Sequence, residues 1–536
     1  MSKPLLNFLR TNNRLKESIF PAPVGGLNLL SSYETMPKED ALEMDNFLPK
    51  TNAIELRKGY KLHAKIGQKG AFLLPFKSTT GADKLLAFLE GKVLDVTQKG
   101  DYSNAISDLE YEMKIQNLNK GVFASNNWQY VLFKERAYLA NGIDAVQVYI
   151  PDETRATSGE IKPAEFQGEG FMPQKITHIF VAKQRLWFVE KNTLRVWYTK
   201  EAGTVQGEVV PFDMSMVSSF GGTLIAGAQL TKDGGEGLDD LVVFITSEGE
   251  TLIYEGTNPN SATDWTLKGV YKMPAPVGNN PFLKHKGDLI LTSQEGYVPL
   301  LKTISLEGQT ALNISFGAKI APLVQERVRF FKSKEGWQSL IYPKGGYALF
   351  NVPLSTGFEQ HIYNTTTGAW SRFTGIKAKN FALFQEKLYF INEEGVFEFD
   401  TGSTDGENPI CGSIRQAYNN LLSENEKRVL MLKPKFKSTK NFALEIFTDT
   451  DFAFENLPYQ LDVGEKQETN WNELKWSTLK PTIKQETSNA KWARLIGQQK
   501  NEWICNIGQG VYFSLVLKTK TRGVQISFFG TGVRYE

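Results

Sequence analysis

Histidines are the side chains best suited to acid–base catalysis or metal binding near neutral pH. The chain has four of them, His63, His178, His285 and His361, and each is isolated in the sequence. A triad or a metal site would need partners that folding brings beside them, because the sequence contains no G-x-S-x-G, P-loop, H-E-x-x-H or C-x-x-C motif. We therefore interpret them as structural and predict no catalytic residue, no cofactor and no enzymatic activity.

The densest acidic and glycine-rich segment runs from Lys232 to Asp240. Its oxygen atoms could in principle bind Ca²⁺, but the segment lacks the register and the terminal glutamate of an EF-hand. We interpret it as a solvated hairpin loop between two strands and predict no metal site. The residues at its centre are Asp233, Gly234, Gly235, Glu236 and Gly237.

Asp449 and Asp451 are a second candidate for chemistry, since glycoside hydrolysis uses two carboxylates about 5 to 10 Å apart in a cleft. We favour the simpler interpretation that they are carboxylates of an edge strand or a loop. The ten tryptophans could form a sugar-binding platform, but most lie in alternating strands, which favours a core. Cys411 and Cys505 are too few for a disulfide scaffold, and we expect both to be small buried groups.

The composition is that of a folded protein with enough apolar material for several domains. The 536 residues are 41% hydrophobic and 22% charged, and the net charge is only +2. Such a balance gives no electrostatic footprint of a general nucleic-acid binder, so any contact with DNA should be weak. No stretch reaches 18 apolar residues and the N-terminus has no apolar signal core, so we expect no transmembrane helix and no secretory signal.

The elements that must position these side chains are mostly strands. Helical spacing is convincing only from Pro37 to Phe47, where a proline and an acidic first turn precede apolar residues, and this predicts a short helix. Elsewhere apolar and polar residues alternate, and a unit of two strands joined by a turn recurs. The units cover 84–97, 130–142, 176–199, 241–256, 287–302, 339–352 and 380–400.

Repeated hairpins with glycine in their turns favour a β-propeller, in which each blade buries its faces against its neighbours. From the spacing we expect six to eight blades over residues 67–405. An N-terminal arm and short helix would cover 1–66, and a β-sandwich-like platform domain would cover 406–536. The alternative for the central region is a pair of sandwiches, which the same alternation supports.

The segment from residue 21 to residue 60 carries a distinctive combination of motifs. They are Gly25-Gly26-Leu27-Asn28, Met36-Pro37, Ala41 with Asp45-Asn46, Phe47 with Pro49, and Arg57-Lys58-Gly59-Tyr60. This opening resembles that of the tail nozzle, or packaged-DNA stabilisation, proteins of short-tailed, podovirus-type bacteriophages. The resemblance extends to the segments 126–133, 432–436 and 446–452, the two tryptophans of the stretch 471–476, and the C-terminal residues 524–536.

The resemblance implies a structural protein of the virion tail. Its members form a propeller with an attached platform, assembled as a homomeric ring of six below the portal and its adaptor, near the tail fibres or tailspikes. The ring closes the DNA channel until genome ejection. The chain would be made in the cytoplasm of the host bacterium and would bind viral double-stranded DNA weakly and without sequence specificity.

Within such a ring, the loop Asp233 to Gly237 is our candidate for a channel gate, because it is rich in glycine and repels phosphate. Two other classes of function stay open. One is a carbohydrate-binding or carbohydrate-active propeller, which the aromatic residues and acidic loops would suit. The other is a scaffold that presents a propeller to protein partners.

Overall fold

The structure is a computed structural model that describes residues 15–81, 83–90, 92–103, 123–152, 159–233, 238–305, 316–453, 492–496 and 503–536. The protein is mainly β, as predicted. Its chain divides into two compact units, one made of Met1–Arg57 with Asn408–Glu536 and the other of Lys58–Glu407. None of the helices within the described ranges is long and apolar enough to cross a membrane.

The N-terminal part of the first unit consists of short strands. They are β1 (Lys16–Pro21), β2 (Gly26–Leu27), β3 (Asp40–Asp45), β4 (Phe47–Pro49) and β5 (Ile54–Leu56). The predicted helix from Pro37 to Phe47 is therefore wrong. A register shift between Ala41 and Glu43 lets Ala41 and Met44 both face inward, and this bulged strand has the three-residue spacing of a helix.

The strands of the second unit form seven groups within the described residues, and we call each group a sheet. Sheet 1 is β7 (Gly70–Phe76), β8 (Lys84–Leu89) and β9 (Lys92–Asp95), preceded by β6 (Tyr60–Lys65) and followed by β10 (Gly100–Asp101). Sheet 2 is β11 (Gln129–Phe133), β12 (Arg136–Ala140), β13 (Gln147–Ile150) and β14 (Glu160–Pro163). Sheet 3 is β15 (Phe166–Gln167), β16 (Ile176–Ala182), β17 (Arg185–Glu190), β18 (Arg195–Thr199) and β19 (Gly207–Asp213).

The remaining four sheets follow in chain order. Sheet 4 is β20 (Leu224–Asp233), β21 (Leu238–Thr246), β22 (Glu250–Glu255) and β23 (Thr266–Lys272). Sheet 5 is β24 (Phe282–His285), β25 (Asp288–Ser293) and β26 (Gly296–Pro299). Sheet 6 is β27 (Gln338–Tyr342), β28 (Tyr347–Pro353), β29 (Phe358–Asn364) and β30 (Trp370–Phe373). Sheet 7 is β31 (Asn380–Phe384), β32 (Lys387–Ile391) and β33 (Gly395–Phe399), completed by β6 and β10.

Each sheet packs its buried face against the next sheet in the chain. Sheets 1 and 2 share a core with Phe88 and Tyr149, and sheets 2 and 3 share one with Tyr138 and Phe188. Further shared cores join sheet 3 to sheet 4 and sheet 4 to sheet 5. Burying one such aromatic side chain stabilises the fold by about 1.5 to 3 kcal/mol.

The packing continues until it returns to the first sheet. Tyr297 of sheet 5 stacks on Phe350 of sheet 6 with ring centroids 3.9 Å apart, and the Gln338 side chain of sheet 6 hydrogen bonds to the backbone of Phe381 in sheet 7. Sheet 7 and sheet 1 then share a core that contains Leu73 and Ile391. The seven sheets therefore form a closed series.

Strand β6 closes this series, because it precedes sheet 1 in the chain yet pairs with the last strand of sheet 7. Tyr60 lies opposite Phe399 and Ala64 lies opposite Val396 in an antiparallel register. Residues from the start of the unit thus complete its final sheet, which ties the two ends of the unit together.

The helices of the second unit lie between sheets 5 and 6. Apart from two 3-10 turns, they are α1 (Leu300–Ser305) and α2 (Ala321–Phe331) in the described ranges. Pro322 lies in the first turn of α2, where a missing N–H costs nothing. Leu323, Val324 and Val328 form its buried side.

The C-terminal strands pair with the N-terminal ones. They are β34 (Ile410–Gln416), β35 (Lys427–Ser438), β36 (Phe442–Thr450), β37 (Trp492–Ile496), β38 (Ile504–Gly510), β39 (Phe513–Thr521) and β40 (Ile526–Tyr535). One sheet has the order β2-β3-β34-β39-β36-β37, and the other has the order β38-β35-β40-β5-β4 with β1 paired to β40. The first unit is thus built from both ends of the described chain.

Candidate functional site

The first hairpin turn of each sheet connects two antiparallel strands, and six of these turns lie within the described residues. They comprise residues 77–81 with 83, 134–135, 183–184, 286–287, 343–346 and 385–386, and we call these six turns the turn face. The strands of each hairpin are antiparallel, so the second hairpin turn of each sheet lies at the opposite end of the strands.

Contacts between neighbouring sheets place these turns together. The Glu135 carboxylate of sheet 2 accepts hydrogen bonds from the Ser78 hydroxyl (2.7 Å) and the Thr79 backbone (3.0 Å) of sheet 1. The Lys286 ammonium group of sheet 5 donates to the carbonyl oxygen of Thr365, in the third turn of sheet 6, at 3.3 Å. The turns of adjacent sheets therefore support one another.

Three of the turns place ordinary L residues in the left-handed region at both central positions. The φ angles are 46° and 55° at Lys134 and Glu135, 51° and 56° at Lys183 and Gln184, and 46° and 62° at Gln385 and Glu386. Such two-residue turns favour Asn-Gly, and the left-handed conformation costs other residues about 1 to 2 kcal/mol each. The sequence thus has long polar side chains at positions where Asn or Gly would make the folded protein more stable.

Lysines recur in the turn face. They are Lys77, Lys134, Lys183, Lys286 and Lys344, one from each of five sheets. Four of the five side chains are exposed, and that of Lys183 is partly buried. Within the part of the chain that the structure describes, none of the five forms a salt bridge.

Three acidic residues in or beside these turns accept local hydrogen bonds, whereas Glu386 is exposed. Asp83 accepts the backbone N–H of Ser78 at 3.0 Å, and Asp288 accepts those of Leu289 and Leu301 at 2.7 and 2.9 Å. Hydrogen bonds from the Ser78 hydroxyl and the Thr79 backbone hold the pKa of Glu135 below its ordinary value. Their oxygen atoms stabilise the turns, whereas four of the five lysine side chains are exposed.

A cavity of about 610 Å³ opens between the turns of sheets 1, 6 and 7. Phe76 and Phe384 supply apolar walls, while Lys77, Lys344 and Glu386 supply charged groups. Its remaining lining residues are Pro75, Asp83, Pro343, Leu383 and Gln385. The mixture of apolar walls and a few charged groups is typical of sites for small polar ligands.

Described residues bound the candidate gate loop on both sides: Asp233 ends β20 and lies opposite Leu238 at the start of β21. Gly234, Gly235, Glu236 and Gly237 themselves lie outside the described residues. The sequence predicts hairpins at 130–142 and 176–199 but no site at their turns, which the pairs Lys134-Glu135 and Lys183-Gln184 mark between apolar runs.

The four histidines lie in different places in the second unit. The His63 ring nitrogen Nε2 lies 2.8 Å from the carbonyl oxygen of Val96, and His285 lies against aromatic rings. His178 lies between two backbone carbonyl oxygens, and its burial lowers its pKa to about 4. Each therefore has a structural environment of its own.

His361 is the one histidine of the described chain within a buried chain of polar groups. Its Nε2 donates to the Glu359 carboxylate (3.1 Å), and its Nδ1 accepts the Tyr297 hydroxyl (2.9 Å). Arg327 of α2 donates to the same carboxylate at 2.7 Å. Burial raises the pKa of Glu359, but the hydrogen bond from His361 and the guanidinium of Arg327 outweigh it and lower the pKa to about 2. The cluster connects α2, sheet 5 and sheet 6.

The two aspartates considered for glycoside hydrolysis have different structural roles. Asp449 is buried, pairs with the Arg415 guanidinium and accepts the Tyr418 hydroxyl at 3.1 Å. Asp451 adopts a φ of 47° and accepts the backbone N–H groups of Val511 and Tyr512, both at 2.9 Å. One stabilises the interior and the other closes a turn.

The remaining predictions concern the burial of the cysteines and the tryptophans, and their outcomes differ. Cys411 and Cys505 are exposed, so their predicted burial is wrong: Cys411 occupies an outward position of the alternating strand β34. Trp187, Trp197 and Trp370 are fully buried, as expected for core residues. The described residues contain no group of three His, Cys, Asp or Glu side chains that could hold a metal ion.

Comparison with known proteins adds a distant likeness in fold. No family model and no curated protein matches the sequence. Among solved structures, a putative 6-phosphogluconolactonase from Bacteroides uniformis has a TM-score of 0.32 at 12% identity, with 65% of this chain and 92% of that chain covered. Its counterpart from Bacteroides fragilis has a TM-score of 0.31 at 11% identity, with 65% and 91% covered. The yeast Nup82–Nup159–Nup116 nucleoporin complex gives 0.28 at 10% identity, with 56% and 87% covered.

The two lactonase names contradict the prediction that the protein is not an enzyme, and we correct it. That prediction rested on the absence of sequence motifs. In a fold of many sheets, a site assembled from loops far apart in the chain leaves no such motif. At TM-scores of 0.32 and 0.31, the likeness brings neither a reaction nor a substrate to this chain.

Proposed function

We propose that the protein is a structural component of the tail of a short-tailed bacteriophage, a nozzle ring that closes the DNA channel and retains the packaged genome until ejection. In this proposal the second unit is a β-propeller and each of its seven sheets is a blade. The closed series of shared cores and the completion of sheet 7 by β6 support this architecture. The sheets of the first unit correspond to the platform.

The observation that carries the proposal is that the motif residues of the N-terminal segment contact one another. The Asn28 amide donates to the Asp40 carboxylate at 2.7 Å, and Arg57 Nε donates to the Asn46 side-chain oxygen at 2.7 Å. All four side chains are buried. Their buried polar contacts give these motif residues a structural role, which supports the interpretation of the segment as a signature rather than a chance string.

Close steric contacts explain why two positions of the same motifs are glycine. A Cβ atom at Gly25 would lie 2.0 Å from the Asp40 carboxylate, and one at Gly59 would lie 1.7 Å from the carbonyl oxygen of Thr404. Neither glycine has a positive φ, so close approach alone requires them. Two separate pieces of the motif thus serve the packing of the chain on itself.

Residues at both ends of the chain carry the resemblance, and they meet in one unit. Strand β1 pairs with β40 along its length, and β3 pairs with β34. We propose that this unit contacts the portal-associated adaptor or the tail fibres and tailspikes, while a heterologous contact repeated around the axis builds a homomeric ring of six. Viral double-stranded DNA would occupy the central channel, with the 233–237 loop as a candidate gate.

Electron microscopy tests this proposal directly. We expect the purified full-length chain to form closed rings, and antibodies against it to label the tail end of virus particles. Monomers at all concentrations together with unlabelled particles would refute the proposal. Genes for a portal, an adaptor or tail fibres beside the gene for this chain would give independent support.

Carbohydrate binding is a second candidate, and the cavity of about 610 Å³ in the turn face is the observation that favours it. Its lysines and glutamate could contact hydroxyl or phosphate groups, and its phenylalanines could pack against a sugar ring. Thermal-shift measurements with sugars and sugar phosphates test this candidate. Stabilisation that Lys344→Ala abolishes would support it, and no stabilisation by any of these ligands would remove it.

A further inference from the structure

We infer that a surface of the first unit binds a basic segment of a partner protein, one that carries arginine beside apolar side chains. The surface consists of four turns, residues 32–35, 419–426, 451–453 and 511–512, and we call it the acidic patch. The inference deepens the proposed function and rests on it, because it assigns this surface to the contact between the first unit and another protein of the tail.

Contacts between the turns make them one surface. Asn419 and Phe513 exchange backbone hydrogen bonds of 2.9 and 3.0 Å. The Asp451 carboxylate accepts the backbone N–H of Tyr512 at 2.9 Å, and the Tyr512 hydroxyl donates to the Glu424 carboxylate at 3.1 Å. Turns that come from separate parts of the chain are thus joined by hydrogen bonds.

Aromatic rings form the apolar part of the acidic patch. The Phe452 ring lies 4.4 Å from that of Tyr418, 5.3 Å from that of Tyr512 and 6.1 Å from that of Tyr33. Tyr418 is buried, whereas 46% of Tyr33 is exposed, and Leu422 beside them is 85% exposed. Grouped apolar side chains at a surface are typical of a protein interaction site.

Charge decides which kind of partner fits. The four turns contain no lysine and no arginine, and their exposed acidic residues are Glu34, Glu424, Glu426 and Asp451. Lys427, which follows directly, is buried and donates to the carbonyl oxygens of Ser423 and Asn425, both at 2.6 Å. Even with Lys38 and Arg428, exposed cations that flank the turns in the sequence, acidic groups are in excess. Charge complementarity therefore favours a basic partner.

Arginine suits this combination of groups. A guanidinium can lie over the face of an aromatic ring and donate paired hydrogen bonds to a carboxylate at its edge. Tyr512 and Glu424 offer a ring and a carboxylate in direct contact. Leu422 offers an apolar side chain that projects from its turn, which fits a protein partner better than the flat face of a sugar ring.

Fluorescence anisotropy of the purified full-length chain tests the inference with a labelled peptide of about ten residues, in which arginine alternates with leucine. A peptide that alternates glutamate with leucine is the matched probe. The first test variant combines Glu34→Gln, Glu424→Gln and Glu426→Gln, and leaves Asp451 in place because it joins two turns. Its control combines changes at three other exposed glutamates, Glu55→Gln, Glu335→Gln and Glu394→Gln.

A second test variant, Leu422→Asn, separates binding from folding. Leu422 has a φ of 62°, which asparagine adopts at lower cost, so this change should not destabilise the protein. Met216→Asn is its control, because Met216 is an apolar residue of the second unit that is 93% exposed. Urea denaturation measures the stability of each variant, and circular dichroism checks that each one folds.

We expect the arginine peptide to bind at least about tenfold more tightly than the glutamate peptide, and each test variant to lose about tenfold in affinity for it. Both controls should bind as the unchanged protein does. No binding by the unchanged protein, equal binding of the two peptides, or equal losses in test and control variants would each overturn the inference. Displacement of the arginine peptide by dextran would assign the acidic patch to a sugar and would also overturn it.

The same measurements distinguish this inference from the nozzle proposal. Rings in electron micrographs that do not bind the arginine peptide would refute the inference and leave the nozzle proposal standing. Glutamate-dependent binding of the peptide by a chain that forms no rings would support the binding surface and remove its assignment to a virus tail.

Discussion

His361 and Glu359 lie two residues apart on β29, with Nε2 of the imidazole 3.1 Å from Oε1 of the carboxylate. Both side chains face the interior, where 1% of His361 and 3% of Glu359 is exposed. Arg327 joins them from α2, so the pair attaches a helix to sheet 6. Such a buried pair is costly to break, because removing one charge leaves its partner unpaired.

Glu359→Gln should therefore lower the free energy of unfolding by about 3 to 5 kcal/mol. Urea denaturation monitored by tryptophan fluorescence measures the change. Glu326→Gln is the matched control, because Glu326 contacts the same Arg327 from an exposed position. We expect the control to change stability by less than about 1 kcal/mol, and equal effects of the two variants would contradict the role of the buried cluster.

Acid should remove the contribution of Glu359 to the free energy of unfolding. Its pKa is about 2 in the folded protein, below the ordinary value of 4.5, so its stabilising effect is present above that ordinary value and is lost as the pH falls towards 2. The difference in unfolding free energy between the unchanged protein and Glu359→Gln should shrink between pH 5 and pH 3. A difference that stays constant over this range would exclude an ionised, stabilised carboxylate.

Closure of the second unit should depend on the inward face of β6. Ala64 is fully buried in the core shared by sheets 7 and 1, so Ala64→Lys should cost about 4 kcal/mol or more by burying an unpaired charge. Leu62→Lys is the control on the same strand, since 41% of Leu62 is exposed. Thermal unfolding should show a large loss for the first variant and a change within about 0.5 kcal/mol for the second. Equal tolerance of both would mean that β6 does not close the unit.

The glycine of the Arg57-Lys58-Gly59-Tyr60 motif should tolerate no side chain. Gly59→Ala would place its methyl group 1.7 Å from the Thr404 carbonyl oxygen and should destabilise the protein by about 1 to 3 kcal/mol. Gly100→Ala is the control, because the nearest atom to its new methyl group is 3.4 Å away on the Tyr102 ring. Calorimetry of the two variants measures the difference, and a Gly59→Ala protein as stable as the control would refute the close approach.

Relief of turn strain should stabilise the protein. Gln184 has a φ of 56°, so Gln184→Gly should raise the free energy of unfolding by about 1 kcal/mol. Gln98→Gly is the control at an exposed position without a positive φ, and there glycine should be neutral or destabilising. Chemical denaturation distinguishes the two, and destabilisation by Gln184→Gly would mean that its side chain makes a contact worth more than the strain.

The sequence by itself determined the mainly β character and many of the hairpins, because alternation with a period of two and glycine-rich turns are local signals. It failed at the segment from Pro37 to Phe47, where a bulge in β3 reproduces helical spacing and pairing with β34 decides the conformation. Whether the Cys411 side chain faces solvent likewise depends on which face of β34 is covered.

Only the tertiary structure decided which distant residues meet. The pairing of β6 with β33 joins residues more than three hundred positions apart, and no local pattern encodes a partner at that distance. The turn face is a similar case, since its five lysines are single, unremarkable residues until the closed series of sheets brings them to one end. Local propensity depends on neighbouring residues, whereas a surface assembled from several sheets exists only once their shared cores set the order of packing.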